Sequence, residues 1–247
     1  MDRSHGASLP QAFVPSPMTR EGPSAVTRVP ESAADNLPRW STISTSSLAT
    51  LLVVADPLLL SALFLGLTHG LSDSERREVA VRGPLIAFGI LVAVGLGGAR
   101  LLDLLGISLS AFRIAGGLLL LWSAWEMVFD RRSQRLQATA DTAVSVDHVK
   151  NIAAFPLAIP LIAGPGAITA MILLAGRTDG QVDHAVGLFG VTALVMFACF
   201  ASFLMAERIS GILGVTGRAV STRMLGIILA ALAVQFMIDG VIALTGA

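Results

Sequence analysis

Two short motifs hold the residues best suited to chemistry: Asp56-Pro57 and Gly164-Pro165-Gly166, each inside a long apolar stretch. A proline inside a helix removes a backbone hydrogen bond and clashes with the turn before it. Deep in lipid, such a break survives only where protein or a water-filled cavity satisfies the freed groups. It also leaves a half-helix N-terminus, whose unpaired N–H groups and partial positive charge suit a carboxylate. Asp56 is the only acid near the centre of an apolar run. Burying it costs at least about 2.5–3.5 kcal/mol on insertion scales. A cation held by this carboxylate, or a proton taken and released by it, is the chemistry expected there. The candidate substrate-binding set is Asp56, Pro57, Ser61, Gly164, Pro165, Gly166, Thr169 and Gln235, with Asp56 also the coupling-ion residue. The competing reading is packing: prolines kink helices and small residues let them approach closely.

The elements that must position these residues are transmembrane helices. Hydrophobic residues make up 54% of the 247-residue chain and charged residues 14%, where a soluble domain carries about 25%. Mean hydropathy is +0.75. Six apolar runs, at about 45–67, 80–99, 112–129, 153–176, 185–206 and 224–245, have the length that crosses a bilayer core. They mostly lack the polar face of a soluble helix. Six of the eleven prolines fall within residues 1–40, a Pro/Ser-rich segment expected to be a disordered tail, without the continuous apolar run of a signal peptide. The six-helix membrane domain is expected over 41–247: a first repeat at about 45–130, a loop at 131–150, and a second repeat at about 151–247.

A formal net charge of zero argues against a nucleic-acid partner. The single cysteine, Cys199, reads as a small packed hydrophobe. No metal-spaced Cys/His pattern, ATP-binding motif or nucleophile–base pair appears, so neither a cofactor nor an enzymatic activity is expected. His5, His69, His148 and His184 fall in tails or loops and read as solvated. Glu126 and Asp239 read as interfacial, Arg113 and Arg223 as snorkelling, Trp122 and Trp125 as lipid-facing, and Gln235 as able to face the bundle. Gly116, Gly117 and Gly226 read as close-packing points. Ten Lys and Arg lie near the loops after runs 1, 3 and 5, against five on the other side. This places the odd loops in the cytoplasm and both termini outside.

The chain also repeats itself at an offset of 108, which sets Pro57 on Pro165, Ser61 on Thr169, Arg100 on Arg208 and Gly106 on Gly214. Two inserted residues later, Arg113 falls on Arg223 and Gly116 on Gly226. Three crossings per half would make this an inverted-topology repeat with its first and fourth helices broken, the architecture of many secondary transporters.

The segments "FPLAIPLIAGPGAITAMI", "GISLSAFRIAGGLLLL", "STRMLGIILAALAVQFMIDGV" and "LSDSERREVAVR" resemble the MarC family of six-helix bacterial inner-membrane proteins over about residues 45–245. That family is related to SnatA-type neutral amino-acid transporters and lies near the LysE export superfamily. The resemblance implies a multi-pass protein of the bacterial inner membrane that carries a small solute. The expectation is a secondary transporter of small neutral amino acids or similar small solutes, driven by H⁺ or Na⁺ because no ATP-binding motif is present. An exporter of another metabolite, or a non-transporting packing protein, is the alternative. In one place the chain departs from the family. Where the family's first helix reads Asn/Asp-Pro-x-Gly-Asn-x-Pro, this chain has Asp56-Pro57-Leu58-Leu59-Leu60-Ser61-Ala62.

Overall fold

The computed structural model describes residues 39–144, 152–178 and 182–245. Nearly all of the expected N-terminal tail, and Lys150 with His148, lie outside these residues. Nine helical elements follow in order: α1 Arg39–Ala55, α2 Pro57–Leu67, α3 Asp73–Leu104, α4 Leu109–Val128, α5 Arg131–Val144, α6 Ala153–Ile162, α7 Pro165–Ala175, α8 Val182–Leu204 and α9 Ala206–Thr245. The described residues hold no strand. Five spans are long and apolar enough to cross a membrane, or six with α6 and α7 taken as one crossing bent by 60°. Large apolar side chains such as Leu85, Leu104, Ile212, Trp122 and Trp125 point outward, as a lipid-facing surface requires.

Local sequence explains the breaks and ends. In α6 the backbone is extended at Phe155 and Ile159, each immediately before a proline. Proline disfavours the α region for the residue preceding it, so two prolines four apart loosen this helix twice. α3 begins on a capping box in which Ser72 and Glu75 exchange side-chain-to-backbone bonds. Gly106 and Gly214, matched at the 108 offset, both have positive φ, at 69° and 60°. That conformation is readily open to glycine. The helices after the two prolines, α2 and α7, both have 11 residues and both begin on the proline.

α4 packs along α9. A Cβ on Gly117 would lie 2.8 Å from the Ala233 carbonyl, and one on Gly226 3.1 Å from that of Ala124. The close-packing reading of these glycines therefore holds. Phe64 of α2 stacks on Phe203 of α8 with ring centroids 4.6 Å apart, in the middle of the apolar core. Two expectations about the elements need correction. The helices outrun the apolar runs: α3 has 32 residues, and α9 starts at Ala206 and is broken at Gly214 before it continues to Thr245. Hydropathy marks the bilayer core, whereas arginine continues a helix without penalty. The expected loop from 131 is helical as far as Val144 and packs against α2, α4 and α6.

Candidate functional site

The first break is satisfied from within the chain. A regular helix bonds each N–H to the carbonyl four residues back. Asp56 N–H still reaches Leu52, and Leu60 N–H reaches Asp56, so α1 and α2 meet at that one residue. Asp56 itself is left-handed, with φ 47° and ψ 71°, a region Asp visits more readily than most residues. Its side chain turns back to cap α2, accepting from the Leu59 N–H at 3.2 Å. Pro57 contributes no N–H, which makes it a favoured first helical residue. The Val54 carbonyl, turned out of the helix by the break, accepts from Arg132 Nη2 at 2.7 Å.

Asp56 is fully buried. Its second oxygen, Oδ2, accepts from the Thr222 hydroxyl of α9 at 3.1 Å. Arg132 of α5 supplies the positive charge that attracts it. Arg132 is 9% exposed and also lies against the Met127 sulfur. A charge this buried is retained only with partners. Asp56 has the Leu59 N–H and the Thr222 hydroxyl, Arg132 has the Val54 carbonyl, and the two opposite charges attract each other across the interior.

The second break is left open. Ala163 N–H reaches back five residues to Ala158, and α7 makes its first internal bond from Ile168 to Gly164. No side chain caps α7. The N–H groups of Gly166 and Ala167 therefore have no partner within the helix. They line a cavity of about 210 Å³, together with Val54, Ser123, Arg132 and Arg135. At the 108 offset, Asp56 corresponds to Gly164. One half carries a carboxylate on its helix N-terminus, and the other has an uncapped N-terminus facing a cavity with two arginines. The breaks are neighbours: a Cβ on Gly166 would lie 3.5 Å from Val54 Cγ1 and 3.3 Å from Ser123 Oγ.

Of the candidate residues, Gly164, Pro165 and Gly166 line the cavity; Asp56 and Pro57 do not, and the first break reaches it only through Val54. Ser61 is buried one turn into α2 with its hydroxyl on the Leu58 carbonyl. Thr169, one turn into α7, is buried with its methyl against Gly116. Neither lines the cavity. Gln235 does not face the bundle: it is exposed on α9 and donates to Asp239 Oδ1 at 2.7 Å, while Asp239 also pairs with Arg177. Glu126, read as interfacial, has a partner within the chain. It is buried and pairs with Arg135 at 2.9 Å. Arg113 differs from a simple snorkelling arginine in having a buried Nε with no partner, whereas Arg223 is exposed. His184 is half-buried with its Nδ1 shielded, not solvated. Cys199 is buried and packed as expected.

Sequence reasoning missed Arg132, Arg135, Ser123 and Thr222. The two arginines read only as cytoplasmic charge; their spacing of three on an unforeseen helix was the signal available.

These features define an all-α integral membrane protein with two broken helical segments meeting around buried charge. The chain belongs to the MarC family: residues 41–245 match the family described as MarC family integral membrane protein. It is 36% identical over 196 residues to a UPF0056 membrane protein of Archaeoglobus fulgidus, covering 79% of this chain and 90% of that protein. Similarity to the UPF0056 membrane protein YhcE of Escherichia coli is 32% over 195 residues, covering 77% and 88%. For the UPF0056 membrane protein YvbG of Bacillus subtilis it is 31% over 185 residues, covering 75% and 87%. No solved structure matches the chain.

Proposed function

We propose that this protein is a secondary transporter of small neutral amino acids or similarly small zwitterions, driven by H⁺ or Na⁺. One observation carries the reading: the uncapped N-terminus of α7 opens on a cavity with Arg132 and Arg135 at its wall. Free N–H groups with a partial positive charge favour a carboxylate, and the guanidiniums at the wall, each balanced by an acid of the chain, add hydrogen-bond donors. Pro160, Leu161 and Ile162, which follow the extended residue Ile159, line the same cavity, and backbone carbonyls there would suit an ammonium group. Drug-sized sites run to about 300–1,000 Å³, so a cavity of about 210 Å³ favours a smaller solute. In this reading the halves are inverted repeats that rock about the paired breaks, the loops after the first, third and fifth crossings face the cytoplasm, and both termini face outward. Matching positive-φ glycines and matching 11-residue half-helices support the repeat.

Counterflow of labelled alanine, glycine and serine in proteoliposomes tests the reading. Saturable exchange that disappears in Gly166→Leu is expected. A folded wild-type protein that moves none of a panel of small zwitterions overturns it.

A further inference from the structure

A second, smaller cavity lies on the other side of α5 from the one at the α7 N-terminus. It measures about 80 Å³, and Asp130, Ser133, Gln137, Arg218 and Thr222 give it a polar lining. A water needs roughly 10–15 Å³ of such space and two to four polar partners, so this space holds more than one. The two cavities share no lining residue. Helical spacing separates them: Arg132, Arg135 and Leu136 form one stripe of α5, and Ser133 and Gln137 form another. At the inner end of the smaller cavity stands Thr222, itself 3% exposed. The hydroxyl of Thr222 is also the donor to Asp56 Oδ2, at 3.1 Å.

We propose that Asp56 exchanges protons with solvent through this vestibule, with the Thr222 hydroxyl as relay, by a route separate from the solute cavity. A hydronium in the vestibule gives a proton to Thr222 Oγ1 as the Thr222 hydroxyl proton passes to Asp56 Oδ2. The products are water, an intact hydroxyl and a neutral carboxyl, with one positive charge consumed. The groups facing Asp56 are Arg132 from α5, the Cys199 thiol from α8 and Thr222 from α9. Thr222 alone among them borders the vestibule. Protonating Asp56 removes the negative charge that attracts Arg132, which lines the solute cavity. The proton would thereby be sensed at the solute site without entering it. This assignment of roles rests on the transport reading, whereas the route itself does not.

The test is isotope exchange at Asp56, independent of any solute. In reconstituted protein, the infrared band of the protonated Asp56 carboxyl is identified by its loss in Asp56→Asn. Its shift is timed after a switch to D₂O. Thr222→Val should slow the exchange at least about tenfold, the loss of one hydrogen bond to a charged group expressed as a rate. Thr222→Ser should restore it. Ala219→Leu, at a vestibule-lining position away from Asp56, should slow it as well. Exchange unchanged in both Thr222→Val and Ala219→Leu overturns the route. So does the absence of a protonated Asp56 band anywhere between about pH 4 and 9, the span over which buried carboxyls titrate. Should wild-type protein move no solute while exchange still depends on Thr222, the route stands and the transport reading falls.

Discussion

Replacing Arg132 with methionine isolates the charge at the centre of the fold. Methionine keeps most of the apolar stem and removes the guanidinium. The Val54 carbonyl then loses its donor, a charged hydrogen bond worth about 1.5–3 kcal/mol. Asp56 loses the buried positive charge that attracts it, and leaving a buried charge uncompensated costs about 3–5 kcal/mol. The two figures overlap, because the same group is lost, so about 3–5 kcal/mol is the expectation. Against a total stability of roughly 5–15 kcal/mol this is a large fraction. The chain supplies its own assay. Cys199 is the only cysteine and is fully buried, so a thiol-reactive dye lights up only on unfolding. With about 2–4 °C per kcal/mol for a chain of this size, Arg132→Met should lower the midpoint by roughly 6–20 °C. Adding Asp56→Asn removes the stranded charge, and the double variant should recover at least about half of the loss. A single variant within about 1 kcal/mol of wild type, or two changes that simply add, would refute the account of Asp56 and Arg132 as mutual partners.

Other expectations concern separate parts of the molecule. Gly164→Ala would place a Cβ 2.5 Å from the Pro160 carbonyl, so it should destabilise by about 1–3 kcal/mol. Gly166→Ala meets nothing nearer than 3.3 Å and should keep its dye-detected midpoint. In intact cells, Gln137→Cys and Asp183→Cys, both exposed in wild type, should label from opposite faces against the silent Cys199; labelling of both from one face removes the proposed topology. Bonds from Ser72 hold the Glu75 carboxyl below its ordinary range. The cap therefore stabilises the start of α3 above that ordinary value and loses its effect as pH falls through the lowered one. Glu75→Ala should reduce amide protection at the start of α3 at neutral pH and make no difference in acid, as read by hydrogen exchange.

The spans and their breaks were legible because lipid imposes a simple rule. A continuous apolar run must be helix, and a proline inside it must interrupt that helix. Asp56 stood out for the same reason, as an acid in the middle of an apolar run. The partners of Asp56 were not legible. Arg132 comes from a segment whose polarity suggested a solvated loop, and its guanidinium reaches the Val54 carbonyl, 78 positions earlier, through packing that no local pattern records. Thr222 was hidden because a buried threonine in a helix usually bonds its own backbone, as Thr68 and Thr192 do here. Gln235 misled in the opposite sense. A lone amide in an apolar run suggested an inward face, yet Asp239 one turn on satisfies it from outside the bundle.

The unequal breaks have a consequence for stoichiometry. Two halves related by a two-fold axis would ordinarily present two equivalent sites, and a saturation curve would approach two molecules per chain. In the proposed inverted repeat the chain would have filled one of them permanently: the Asp56 carboxylate caps the α2 N-terminus, the place that an incoming carboxylate would take at α7. The covalent occupant cannot leave, so a solute bound in the proposed manner should saturate at one per chain. Asp56→Gly, which makes the first break resemble the second, would be the variant in which to look for a second equivalent.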